Sequence, residues 1–92
     1  MSEVRRSCTI INQRGLHARA SAKFVNAVSE VPEGCIVKVA KDGNETAGGS
    51  ILGLMMLGAA KGDTIELIVA GDQSEAVLEQ LCELVCSGFG ED

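Results

Sequence analysis

The sequence predicts an α+β domain, a four-stranded antiparallel sheet with three helices on one face, as a single domain over residues 1–92 in the order β-α-β-β-α-β-α. Three observations predict it. "CIVKVAK" and "DTIELIVAG" alternate apolar and polar residues with period two. Two other segments carry apolar stripes at three- and four-residue steps. An alternating strand with one wet face fits an antiparallel sheet better than a parallel sheet buried on both faces.

Each element follows from local signals. "RRSCTII" has strand character from β-branched Thr9, Ile10 and Ile11, and it stops at the turn Asn12-Gln13-Arg14-Gly15. From Leu16 or His17 the period changes, and Ala20, Phe24, Val28 and Val31 line one side of a helix. Pro32-Glu33-Gly34 ends that helix. "CIVKVAK" is the second strand, Asp42-Gly43 a hairpin turn, and "NETA" the short return. Ser50 is a natural N-cap for a short helix through about Leu57, with Leu54, Met55 and Leu57 as core plugs and Gly53 as a weak point. The strand "DTIELIVAG" puts Ile65, Leu67 and Val69 on one face. Asp72-Gln73-Ser74-Glu75 opens the last helix, whose apolar face is Val77, Leu78, Leu81, Cys82 and Val85. "SGFGED" reads as a fraying end.

Composition narrows the function classes. Hydrophobic residues make up 46% of the 92, enough for a folded globule of this size. Phe24 and Phe89 are the only aromatic residues, so stacking platforms for single-stranded nucleic acid are absent. A net charge of −5 argues further against DNA or RNA as a partner. The basic residues are biased, however. Seven of the eight (Arg5, Arg6, Arg14, Arg19, Lys23, Lys38 and Lys41) precede Lys61, so the first half of the chain offers a local positive face for an anion or an acidic protein. No apolar run approaches the roughly 18 residues of a membrane span. Met1 leads into a charged segment without a signal-peptide pattern, so the expectation is a cytoplasmic chain. The four cysteines, Cys8, Cys35, Cys82 and Cys86, are then expected to be reduced, buried and inert. Zinc is not expected, because no CxxC pair or second histidine accompanies them.

The one histidine, His17, falls where the first turn meets the first helix. A helix start offers free N–H groups and a partial positive charge, a ready cradle for phosphate. Arg19 adds a forked cation, and Gly15 permits a tight backbone path. A neutral imidazole is a capable nucleophile, so these parts suit a phosphoryl group carried on nitrogen. The competing reading is a polar cap with an ordinary solvated arginine beside it. Ser50 divides in the same way: it is an N-cap first, and a position where phosphate would be tolerated electrostatically. A third possibility is a hydrolase pairing His17 with Ser21 or Ser50, although no nucleophile elbow or oxyanion site is visible.

"GLHAR" followed by "ASAKFV" resembles the active-site segment of the HPr family, the histidine-containing phosphocarriers of the bacterial phosphotransferase system. "GGSILGLMMLGAAKGDTIELIVAG" resembles that family's second signature, and the resemblance runs from about Cys8 to Val85. It implies an open-faced β-sandwich and a phosphocarrier rather than an enzyme with its own turnover, with no cofactor. His17 would take the phosphoryl group on Nδ1 from Enzyme I, itself charged by phosphoenolpyruvate, and pass it to an enzyme IIA protein. Arg19 would steady the phosphohistidine. Ser50 would be the regulatory target of an HPr kinase/phosphorylase. Leu16, Ala20, Phe24, Leu54, Met55 and Leu57 would belong to the docking surface of a chain working as a monomer.

The sequence departs from the family pattern in three places. Ala20 stands where many members have proline, Gly49 where many have a basic residue before the serine, and "KDGNETAGG" lengthens the region between the motifs. The wording "RGLHARASAKFV" is similar to the nitrogen-regulatory branch. The alternative within the same fold is a regulatory binding module switched through Ser50 without a carrier role.

Overall fold

A computed structural model describes residues 3–91. The elements are β1 (Glu3–Thr9), α1 (Ala18–Val28), β2 (Ile36–Lys41), β3 (Asn44–Ala47), α2 (Ile51–Met56), β4 (Thr64–Ala70) and α3 (Ser74–Cys86), followed by a 3-10 turn at Gly88–Gly90. The strands form one sheet in the order β1-β4-β2-β3, every pair antiparallel. This is the expected α+β architecture, an open antiparallel sheet with three helices.

The two-residue turn Asp42-Gly43 between β2 and β3 has positive φ at both positions (52° and 85°), the geometry that twists a tight hairpin correctly. Val37 and Val39 of β2 and Ile65, Leu67 and Val69 of β4 form the sheet side of the core. Ala20 and Phe24 of α1, Leu54 of α2 and Val77, Leu78, Leu81, Cys82 and Val85 of α3 close it from the helix side. Ile68 is also buried, although alternation points it at the open face. It is flanked in register by Arg5 on one side and Lys38 on the other, residue types whose long aliphatic stems suit the shielding of an apolar neighbour while their charged heads stay wet.

Two boundaries move. β1 closes at Thr9, but the chain keeps bonding to the loop before β4: Ile10 N–H donates to the Asp63 carbonyl at 2.8 Å, and Gly62 N–H to the Ile10 carbonyl at 2.7 Å. Helix α1 starts at Ala18 and ends at Val28, four residues before Pro32. The cysteines also divide. Cys8 and Cys82 are buried as expected, whereas Cys35 is half-buried and Cys86 exposed. Cys86 lies one turn beyond Cys82 on α3, past the core-facing stripe.

The largest correction concerns the end of the chain. Residues 88–90 do not fray; they form a 3-10 turn in which Phe89 is 1% exposed and joins the main core. Phe89 sits at φ 59°, between Gly88 at 71° and Gly90 at 74°. A left-handed conformation is costly for a bulky side chain, and burial of the ring is what holds it there. The expectation failed because "SGFGED" has no periodicity: a single anchoring residue leaves no pattern to detect. Phe89→Ala is therefore expected to destabilise the fold by about 3–5 kcal/mol in urea unfolding, where an exposed tail residue would cost almost nothing.

Candidate phosphoryl-acceptor site

The site is built by the loop before α1. Asn12 is fully buried, and its Nδ2 donates to the Gly15 carbonyl at 2.8 Å while Gly15 N–H donates to the Asn12 carbonyl at 3.2 Å. Gly15 has φ 62°, and a Cβ there would strike the Ala59 carbonyl, so only glycine fits. Next along the chain, Leu16 N–H donates to that same Ala59 carbonyl at 2.9 Å. The loop is thus fixed to the segment between α2 and β4, and His17 is delivered as the N-cap of α1 with extended backbone (φ −76°, ψ −178°). Its side chain caps nothing. The His17 carbonyl accepts from Ser21 N–H at 2.9 Å, which leaves the preceding N–H groups of the first turn without helical partners.

The imidazole instead faces Glu91. His17 Nε2 lies 3.0 Å from Oε2 and 3.1 Å from Oε1 of that carboxylate, in a contact where both side chains are less than a fifth exposed. Asn12 Nδ2 donates to Glu91 Oε1 at 3.1 Å. An ionised carboxylate can only accept, so the geometry assigns the ring proton to Nε2 and leaves the Nδ1 lone pair free. Lys23 Nζ donates to the Phe89 carbonyl at 2.8 Å, tying α1 to the turn that carries Glu91.

Beside this contact is an open cleft of about 370 Å³ lined by Gln13, Arg14, Arg19, Lys23, Gly90 and Glu91. His17 is not part of its lining and meets it through Glu91. Three cations and one carboxylate surround the space. Elsewhere Arg5 pairs with Glu3 and Glu66, Lys38 with Glu45, and Lys41 with Asp42 and Asp63, while Arg6 shares a separate cleft with Glu75 and Glu79. The positive face expected from composition therefore narrows to Arg14, Arg19 and Lys23.

The structure brings His17 and Arg19 to one end of α1 and places Ser50 on a different element. Ser50 is the N-cap of α2, and its Oγ accepts from Gly53 N–H at 2.9 Å. Ser21 is buried, and its hydroxyl donates to the Leu16 carbonyl at 3.2 Å, which gives the hydrolase pairing no support. The expected docking set needs correction. Leu16, Ala20, Phe24 and Leu54 are core residues, each at most 5% exposed, and a partner cannot touch them without unfolding the site. Leu57 is half-buried, and only Met55 of the six is exposed. The exposed apolar residues of α2 are Ile51, Leu52, Met55 and Met56. A six-residue helix shows too little of its period for sequence to say which side faces in.

Sequence reasoning placed Arg14 and Lys23 only in a general positive face, and it missed Asn12 and Glu91 as members of this group. Lys23 was the most accessible, standing one turn beyond Arg19 on the same helix face. Glu91 gave no signal, because 74 residues separate it from His17.

A family model described as the PTS HPr component phosphorylation site matches residues 4–87. The phosphocarrier protein HPr of Pseudomonas aeruginosa is 43% identical over 84 residues, covering 90% of this chain and 91% of its own. The phosphocarrier protein NPr of Shewanella violacea is 35% identical over 91 residues, covering 99% of this chain and 98% of its own. The crystal structure of HPr-C-His from Thermoanaerobacter tengcongensis superposes with a TM-score of 0.87 at 37% identity, over 100% of this chain and 99% of that one.

The His17 hydrogen bond pulls the Glu91 carboxyl below its usual value; burial opposes it, and the Asn12 bond adds to it. A carboxyl depressed in the folded state adds stability above its unfolded value and loses it as pH falls through the folded one. Wild type is expected to be more stable than Glu91→Gln near pH 5–6. That gap should close as acid protonates the carboxylate, as followed by thermal unfolding of both proteins across the acid range.

Proposed function

The chain belongs to the HPr family of phosphocarrier proteins of the phosphotransferase system, and on that premise we propose that it carries a phosphoryl group on Nδ1 of His17. The group comes from phosphoenolpyruvate-charged Enzyme I and goes to an enzyme IIA protein. The observation that carries this reading is the Glu91 carboxylate on Nε2, which presents Nδ1 as the nucleophilic nitrogen.

The Nδ1 lone pair attacks phosphorus, the N–P bond forms, and the bond to the donor breaks with its electrons staying on the donor. The ring gains positive charge as it attacks. Glu91, hydrogen-bonded to Nε2–H, stabilises that charge without taking the proton, as the carboxylate of a catalytic triad does. Arg19, two residues into α1, supplies a fork for the phosphoryl oxygens, and the free N–H groups of the first turn favour the same anion. Because the next protein reverses these steps, the site must hold phosphate without trapping it. An open cleft with exposed cations is suited to that.

Docking falls to the exposed apolar face of α2, Ile51, Leu52, Met55 and Met56, where flexible methionines accommodate successive partners. We place the carrier in the cytoplasm as a monomer; among the described residues no helix is long and apolar enough to cross a membrane. The NPr relative gives the nitrogen-regulatory branch a place beside sugar transport, while the higher identity belongs to the HPr relative. Ser50 is the proposed regulatory site, and modification there would compete with its cap on Gly53.

Incubation with Enzyme I and phosphoenolpyruvate should add one acid-labile phosphoryl group by intact mass, absent in His17→Ala. Arg19→Ala and Glu91→Gln should each keep the modification but slow transfer, by about 10-fold for the loss of one charge-assisted hydrogen bond. Wild type left unmodified by an active Enzyme I would overturn the reading. Separately, ATP with an HPr kinase/phosphorylase should add an acid-stable phosphate that Ser50→Ala lacks. The same substitution should cost about 1 kcal/mol through loss of the cap.

A further inference from the structure

Away from the acceptor site, β1 and α3 bring sulfur atoms together. Cys8 on β1 and Cys82 on α3 lie on facing surfaces of the core, and the Cys8 thiol donates to Cys82 Sγ at 3.1 Å. A disulfide needs about 2.05 Å between sulfurs, so closure asks for a shift of roughly one ångström. The third thiol of this end of the core, Cys86, is on the exposed side of α3 one turn further on. Among the described residues no group of three ligating side chains converges to hold a metal ion, so the chemistry available to these sulfurs is thiol chemistry.

We propose that Cys8 and Cys82 form a redox-sensitive pair that closes to an intramolecular disulfide when the protein meets a peroxide, with Cys86 as the thiol that takes up the oxidant. The exposed Cys86 thiol reacts with hydrogen peroxide to give a sulfenic acid and water. The Cys8 thiol displaces hydroxide from that sulfur, forming a Cys8–Cys86 disulfide and a second water. Cys82 then attacks Cys8 sulfur and releases Cys86 as a thiol. In sum, two thiols and one peroxide give one disulfide and two waters.

The division of labour follows from burial. Cys8 is 3% exposed and Cys82 4% exposed, out of reach of an oxidant in solution. Burial, reinforced by the Cys82 and Cys86 thiols, also pushes the Cys8 thiol well above its usual value, so it keeps its proton and is a poor first nucleophile. Cys86 is exposed and lies one helical turn from Cys82, which itself touches Cys8, so it is the thiol of this group that an oxidant reaches first. Cys82 and Cys86 are on adjacent turns of one helix and poorly placed to join each other directly, whereas Cys8 meets Cys82 from the sheet. The link would join β1, which leads to Asn12 and His17, to α3, which leads to Phe89 and Glu91. It would clamp the two chain segments that carry the two halves of the acceptor site.

The test uses the reduced wild-type chain. After exposure to hydrogen peroxide and alkylation of remaining thiols, intact mass should show the loss of two hydrogens and two alkylated cysteines. Non-reducing peptide mapping should identify Cys8–Cys82. Dithiothreitol should reverse it, and Tm should rise by about 10 °C because a 74-residue separation is closed. Cys86→Ser, a surface change that leaves the core intact, should slow formation several-fold without altering the final link. Four alkylated thiols after treatment, a stable Cys8–Cys86 product, or dimers joined through Cys86 would each overturn the proposal.

Discussion

A single carboxylate organises the site. Glu91 accepts from His17 Nε2 and from Asn12 Nδ2, and both donors come from the opposite end of the chain. That contact sets the imidazole tautomer and the orientation of the ring. It exists only because Phe89, two residues earlier, is buried in the main core and Lys23 holds the Phe89 carbonyl. The chemistry of one helix start therefore depends on the packing of one phenylalanine far away in sequence.

The rest of the fold supports this contact with few resources. Two aromatic residues and a set of aliphatic and sulfur side chains form the core, and both aromatics are fully buried at the helix layer. Phe24 secures α1, which begins at His17, and Phe89 secures the turn that carries Glu91. The sheet's other face is open, and there Ile68 is flanked in register by Arg5 and Lys38 rather than covered by another layer. Ion pairs on that face and in the hairpin engage Arg5, Lys38 and Lys41, and Arg6 shares a cleft with Glu75 and Glu79. Those that remain, Arg14, Arg19 and Lys23, gather at the acceptor cleft. A protein of net negative charge thus keeps one region suited to a phosphoryl group, and repulsion elsewhere discourages other anions.

Different kinds of residue were legible to different degrees. The alternation of β4, the hairpin signal Asp42-Gly43 and the Ser50 cap are local properties, and each appears where its pattern puts it. His17, Gly15 and Arg19 could be singled out because a helix start has its own chemistry, whatever surrounds it. The docking residues could not. Leu54 and Met55 are neighbours of similar hydrophobicity, yet one is in the core and the other exposed, since only the packing of α2 against α1 separates them. Cys82 and Cys86 pose the same problem on α3: one turn apart in sequence, one faces β1 and the other solvent.

By itself the sequence determined the order and type of the elements, the helix start at His17 and the residue types able to carry phosphate there. Backbone preference, hydrophobic period and capping act over a few residues, so they can be read a few residues at a time. The tertiary structure decided that Glu91 is the partner of His17, that Phe89 is core rather than tail and that Cys8 meets Cys82. Each of these joins chain segments more than 60 residues apart. Contacts of that kind arise from how a sheet and three helices share one interior, and no local pattern encodes them.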